Sequence, residues 1–173
     1  MIKRMFAAVL IFASLLALVG CVQVSEPDRG RGNAYLLAVA RRESGQEDAT
    51  IEMIGTASAR EKMLLWFMIT AADGERTYSA IEFEVLETNV VDGSLYRFVK
   101  THQLISCGKD IRVCEWSDKY SILINDPSCR YLELTYGDSK PILGEIYTLP
   151  CAFSTNGIPD EYRFLDENQK ELH

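Results

Sequence analysis

The chain has 173 residues, of which 18 are basic and 25 acidic, so its formal net charge is −7. A negative surface repels phosphate groups, which disfavours nucleic acid and anionic lipid as partners. The length fits one domain with a single hydrophobic core.

The first residues have the order of a secretory signal. Lys3 and Arg4 precede an apolar run over residues 6–19, and the apolar character ends at Gly20 and Cys21. The run is shorter than the roughly 20 residues that a membrane-spanning helix needs. We therefore predict a cleaved signal peptide at residues 1–20.

Cys21 is the predicted lipidation site. Residues 18–21, Leu-Val-Gly-Cys, resemble the lipobox of bacterial lipoproteins, whose cysteine receives a diacylglyceryl group before cleavage. Two or more acyl chains give lasting membrane attachment. The alternative is a plain secreted protein with a cysteine at the cleavage site by chance. Val22 stands where lipoproteins kept in the inner membrane often carry Asp, so the resemblance implies the periplasmic face of the outer membrane.

Cleavage would leave a more acidic chain. Without Lys3 and Arg4, 16 basic residues face 25 acidic ones, a net charge of −9. Such a charge steers a basic partner, although it also serves ordinary solubility. Residues 21–33 hold two glycines, a proline and few apolar groups, which predicts a tether. Residues 34–173 are predicted to form one domain.

Strand candidates recur at regular spacing along that domain. One segment, residues 63–69, is continuously apolar and fits a central strand or a buried helix; a capping-box pattern at residues 58–61 favours the helix, but the turn signal at residues 72–75 makes a hairpin strand the better choice. Glu82 and Glu84 alternate with apolar residues, which predicts a half-exposed strand. The strand candidates are residues 35–40, 50–54, 63–69, 77–86, 90–91, 95–99, 111–116, 120–124, 131–136, 142–149 and 162–165.

This spacing predicts a mainly β fold, an antiparallel β-sandwich or a barrel-like domain. The residues around each of the two tryptophans bear on whether that tryptophan is buried. Trp66 has apolar neighbours and is predicted to be buried, whereas Trp116 lies beside a polar turn, so its exposure stays open.

Four cysteines follow Cys21 in the mature chain: Cys107, Cys114, Cys129 and Cys151. In an oxidising compartment an even number predicts two disulfides, with three possible connectivities. We favour Cys107 with Cys114 and Cys129 with Cys151, because each pair closes a modest loop. Zinc is disfavoured because the spacings lack a Cys-x-x-Cys motif, so no metal site is predicted.

Catalytic patterns are weak. His102 is the only histidine besides the terminal His173, and its place at a strand end predicts a solvated side chain. Residues 106–109 match a Ser-x-x-Lys pattern, but Gly108 and the predicted disulfide at Cys107 oppose the helix that this motif needs. No catalytic residue and no cofactor are predicted, and an enzyme is the third hypothesis.

Turns between the strands supply the candidate partner-binding residues, because binding residues often lie on loops that a scaffold positions. These candidates are Trp116, Asp118, Asn125, Asp126 and Asn156.

Roughly the last 60 residues carry a recognisable pattern of strand-like positions and two cysteines. Its parts are Arg112-Val113-Cys114, Tyr120-Ser121-Ile122-Leu123, Ser128-Cys129, Gly144-x-x-Tyr147-x-Leu149 and Tyr162-Arg163-Phe164. This pattern resembles immunity lipoproteins associated with type VI secretion, although Cys107 and Cys151 lie outside it. The resemblance implies a lipid-anchored protein that binds and blocks an effector attacking phospholipid or cell wall, without catalysis. The alternative is a structural lipoprotein of an envelope or secretion machine.

Overall fold

The structure, a computed structural model, describes residues 28–172. The predicted signal peptide, Cys21 and residues 22–27 of the predicted tether lie outside the described residues. Within the described part the chain is mainly β, with antiparallel pairing throughout, as the sequence predicts. No helix in this part is long and apolar enough to cross a membrane.

Twelve strands and one helix are formed by residues 28–172. In chain order they are β1 (Arg29–Arg31), α1 (Gly32–Ser44), β2 (Thr50–Ala59), β3 (Lys62–Thr70), β4 (Arg76–Glu87), β5 (Leu95–Thr101), β6 (Ile105–Gly108), β7 (Ile111–Trp116), β8 (Lys119–Ile124), β9 (Tyr131–Thr135), β10 (Ile142–Glu145), β11 (Cys151–Ser154) and β12 (Glu161–Leu165).

These strands make three sheets. The first has the order β1-β5-β4-β3-β2, the second β11-β8-β7-β6, and the third β10-β9-β12. The buried residues form three clusters: one between α1 and the first sheet, one between the first and second sheets, and one between the second and third. The fold is therefore a stack of four layers, a helix followed by three sheets.

The start of the domain differs from the prediction in two ways. The strand predicted at residues 35–40 is wrong, because this segment belongs to α1 and buries Leu36, Val39 and Ala40 at helical spacing against the first sheet. A left-handed Gly45 ends the helix, and its N–H donates to the carbonyl of Arg42. β1 lies inside the predicted tether and pairs with β5, so the folded domain begins before residue 34.

β3 is a strand, as predicted, and its continuous apolar character has a simple cause. Leu65 and Phe67 face α1, while Leu64 and Trp66 face the second sheet. Trp66 is buried, as predicted. The half-exposed strand predicted around Glu82 is wrong, because β4 lies inside the five-stranded sheet with both faces covered, and Glu82 is only 2% exposed.

A buried hydrogen bond and a close approach of two strands are among the contacts between the first and second sheets. The Trp66 indole N–H donates a buried 2.9 Å hydrogen bond to the Ser121 hydroxyl. Gly55 in β2 lies directly on Ala152 in β11, where a Cβ at residue 55 would be only 2.2 Å from the Ala152 Cβ. The sheets thus approach closely at a position where a larger side chain has no room.

We expect Gly55→Ala to lower the free energy of unfolding by about 1–3 kcal/mol, the usual cost of overpacking. Urea denaturation measures the change. The double variant Gly55→Ala with Ala152→Gly should recover most of the loss, since the second change removes the colliding methyl group. Gly144→Ala is the control, because a Cβ there meets only the Leu132 carbonyl oxygen at 3.7 Å. An unchanged stability of Gly55→Ala would contradict the close contact.

Candidate functional site

The five predicted partner-binding residues do not form one surface. Asp118 and Asn156 lie near one end of β8, whereas Asn125 and Asp126 lie at the other end, roughly 20 Å away at the rise of a strand. Trp116 is 2% exposed and belongs to the core between the first two sheets. The structure therefore separates these residues into two groups and a buried tryptophan.

Asn125 and Asp126 are engaged within the chain. The Asn125 amide donates to the Tyr78 hydroxyl at 3.0 Å, and that hydroxyl donates to Asp110 at 2.8 Å. The Asp126 carboxylate accepts the backbone N–H of Ser128 in the following turn. This group closes one end of the space between the first and second sheets with satisfied polar groups.

A cleft opens at the other end of the same space, beside Asp118. Ser117 and Asp118 form a two-residue turn, and both have positive φ, 50° and 61°. The cleft measures about 410 Å³, and an adjoining cleft of about 450 Å³ shares Lys62 and the two turn residues. The residues that line the first cleft are Lys62, Glu82, Lys100, His102, Glu115, Trp116, Ser117 and Asp118.

Glu82 is the buried acid of this cleft. One carboxylate oxygen lies 2.9 Å from His102 Nε2 and the other lies 2.7 Å from Lys62 Nζ. Burial raises the pKa of Glu82, but Lys62 and His102 outweigh burial, so the net pKa lies below its ordinary value. The predicted solvated His102 is wrong, because its side chain is only 7% exposed.

The Glu82–His102 pair could transfer protons in principle. Catalysis by a nucleophile would need a hydroxyl or thiol bonded to the imidazole. In residues 28–172 the side-chain bond of His102 goes to Glu82, and its backbone N–H donates to Ala80. The same part of the chain holds no group of three acidic, histidine or cysteine side chains placed to bind a metal ion. The arrangement is that of a charged cluster that joins β3, β4 and the end of β5.

The four cysteines are free thiols, and the structure does not bring Cys107 and Cys114 together. Cys114 packs between the first two sheets, where burial raises its pKa to about 12, whereas Cys107 packs on the cluster between the second and third. Cys129 and Cys151 pack in the same cluster as Cys107, between the second and third sheets. Burial raises the pKa of Cys129 to about 11, and the nearby Cys151 thiol contributes to the rise.

The part of the chain that forms the third sheet has a feature that the sequence does not reveal. Residues 126–172, which hold this sheet, β11 and their connections, include nine acidic and four basic residues, a net charge of −5. The segment from residue 137 to residue 150 is exposed except for Ile146. Large apolar side chains are exposed on β10 and in the connections that flank β11, namely Ile142 (59%), Leu143 (45%), Tyr147 (75%), Leu149 (39%) and Ile158 (46%).

Exposed apolar groups surrounded by charge are characteristic of protein-binding surfaces. The available signal was the apolar run at residues 142–149, which was predicted as a strand. That strand ends at Glu145, and β10 lies at the edge of its sheet. Hydrophobic patterning alone does not distinguish an edge strand from a central one.

Comparisons with protein-family models, with curated proteins and with solved structures find no significant match to this chain.

We expect Glu82→Gln to lower the free energy of unfolding at pH 7 by about 1–3 kcal/mol, because it removes a buried charge from its partners. The lowered pKa gives the sign of the pH dependence: the carboxylate stabilises the fold above the ordinary glutamate pKa of about 4.3, and this contribution is lost as the pH falls through the lowered value. Stability of Glu82→Gln should therefore fall less steeply in acid than that of the unchanged protein.

Urea unfolding between pH 3 and pH 7 measures both effects. Glu84→Gln is the matched control, since the side chain of Glu84 is 26% exposed and its Arg97 partner is 43% exposed. Equal acid slopes for Glu82→Gln and the unchanged protein would show that the cluster does not stabilise the fold.

Proposed function

We propose that this chain is a lipid-anchored binding protein on the periplasmic face of the outer membrane, and that it neutralises a basic secreted effector by binding it. The acidic third sheet with its exposed apolar side chains is the observation that carries the proposal. It belongs to the described domain and does not depend on the leader.

Charge and apolar area act at different stages of such binding. A net charge of −5 over residues 126–172 attracts a basic protein at long range and raises the rate of association. Exposed groups such as Leu143 and Tyr147 then supply area that is removed from water in the complex. Because electrostatic steering weakens as salt rises, association should slow with ionic strength.

The sequence supports the compartment and the role. The leader and the lipobox-like residues before Cys21 favour export and acylation, and the resemblance to type VI immunity lipoproteins favours an effector as the partner. A protein that blocks an effector by covering it needs no catalytic group. This agrees with a Glu82–His102 pair whose bonds lie within the chain.

Reversing charge on the third sheet and its loops should weaken protection. We expect the triple variant Asp138→Lys, Glu161→Lys and Glu167→Lys to leave cells sensitive to competitors that carry type VI secretion. We also expect it to bind the purified effector at least tenfold more slowly at low salt, because repulsion replaces attraction. Survival counts and stopped-flow binding measure the two effects.

The matched control places three charge reversals on the first sheet and its loops, at the exposed residues Asp48, Glu52 and Glu75. Protection equal to that of the unchanged protein is expected there. If deletion of the whole gene leaves resistance unaltered, the immunity role fails. Cross-linking to other envelope proteins without any effector would favour a machine component instead.

Export makes a separate prediction about the sulfur atoms. Mass spectrometry of the native protein should show a chain that begins at an acylated Cys21 and contains a Cys129–Cys151 disulfide, because the Cys151 thiol lies near enough to Cys129 to raise its pKa and the proposed space is oxidising. Cys107 and Cys114 should be recovered as thiols. An intact Met1 end, or thiols at Cys129 and Cys151, would contradict the compartment.

A further inference from the structure

β10 has an open side. It pairs with β9 on one side, and no strand of residues 28–172 pairs with the other. The opposite edge of this sheet is partly covered, since Leu165 bridges to Glu171 and the N–H of Leu172 donates to the carbonyl of Phe164. The third sheet therefore presents one uncovered edge.

The hydrogen-bond pattern identifies the groups on that edge. Ile146 N–H donates to the carbonyl of Arg130, which lies directly opposite in the β9 register. Because antiparallel pairs alternate, Gly144 also points toward β9, whereas the N–H and C=O groups of Leu143 and Glu145 point away from it. Two residues thus offer paired backbone donors and acceptors to an arriving strand.

This edge is held in strand conformation before any partner arrives. The Arg130 guanidinium donates to the carbonyl of Ile146 at 3.2 Å and to the Glu145 carboxylate at 2.6 Å. The Tyr147 hydroxyl donates to the other oxygen of Glu145 at 2.7 Å. A preformed edge lowers the entropy cost of binding.

We propose that β10 binds an extended segment of a basic partner as an added strand, with Leu143 and Glu145 as the backbone contacts. This inference rests on the proposed function and assigns its contact. The added strand would alternate apolar side chains, placed on the face of Ile142, with lysine or arginine, placed on the opposite face beside Glu145.

Charge selects this occupant over a second copy of the chain. Two copies joined through β10 would bring together two segments, residues 126–172 of each copy, that each carry a net charge of −5. A basic segment meets the opposite sign. An edge that attracts a basic strand and repels its own copy also avoids self-aggregation.

The protein for the test is the chain from residue 22 onward. The probe is a synthetic ten-residue peptide in which lysine and valine alternate. We expect the peptide to bind and to protect the amides of Leu143 and Glu145 from hydrogen exchange. Leu143→Pro should weaken binding at least tenfold because it removes one outward donor. Its ring does not break the ladder to β9, since that N–H points away from β9.

Leu143→Ala is the matched control, because it shortens the same side chain and keeps the donor. It should lose clearly less affinity than Leu143→Pro. A second peptide of equal charge, with proline in place of alternate valines, should bind at least tenfold more weakly. This peptide comparison and the exchange pattern use the unchanged protein, so they decide the matter even if Leu143→Pro fails to fold.

Three results would overturn strand addition: equal binding of the two peptides, protection elsewhere than on β10, or a dimer of the chain closed through β10. In cells, Leu143→Pro lipoprotein that folds and still protects against the effector would overturn the added strand and leave the immunity role intact. Loss of the immunity role alone would appear as unprotected cells together with normal peptide binding at β10.

Discussion

The second sheet has protein on both of its faces, and the rest of the structure depends on this burial. Its strands must be apolar on both sides, so β7 and β8 place Cys114 and Leu123 toward the first sheet and Val113 and Ile122 toward the third. Each buried apolar side chain of this size contributes about 1.5–3 kcal/mol. The Trp66–Ser121 hydrogen bond satisfies a polar pair inside the apolar space and links the first two sheets.

The space between the first and second sheets has a polar cluster at each end. At one end Tyr78 bonds Asp110 and Asn125, and at the other Glu82 bonds His102 and contacts Lys62. A buried carboxylate is costly unless it is paired, so the described histidine is used to hold Glu82. The cleft beside Asp118 therefore contains a glutamate and a histidine that bond each other and link β4 to the end of β5.

The third sheet is different because protein packs against one face of β9 and β12, whereas all four residues of β10 are exposed. Residues 126–172, which contain this sheet, carry surplus acidic charge, and β10 adds exposed apolar groups and unpaired backbone. These are properties that a single stable fold does not require. They suit a surface that another protein covers, which is why the proposed binding function lies on this layer, away from the cleft.

The sequence by itself determined the β class, most strand positions and the turns, because alternation of apolar and polar residues and glycine-containing turns are local signals. It also predicted that Trp66 is buried. Only the tertiary structure decided that residues 35–40 are helical, because a short apolar run fits either state until a sheet covers one face of it. The tertiary structure also decided three further features. They are the burial of Glu82, His102 and Trp116, the separation of Asp118 from Asn125, and the edge position of β10. A local pattern predicts which face of a strand or helix a side chain lies on. Whether another part of the protein packs against that face depends on residues far away in the chain.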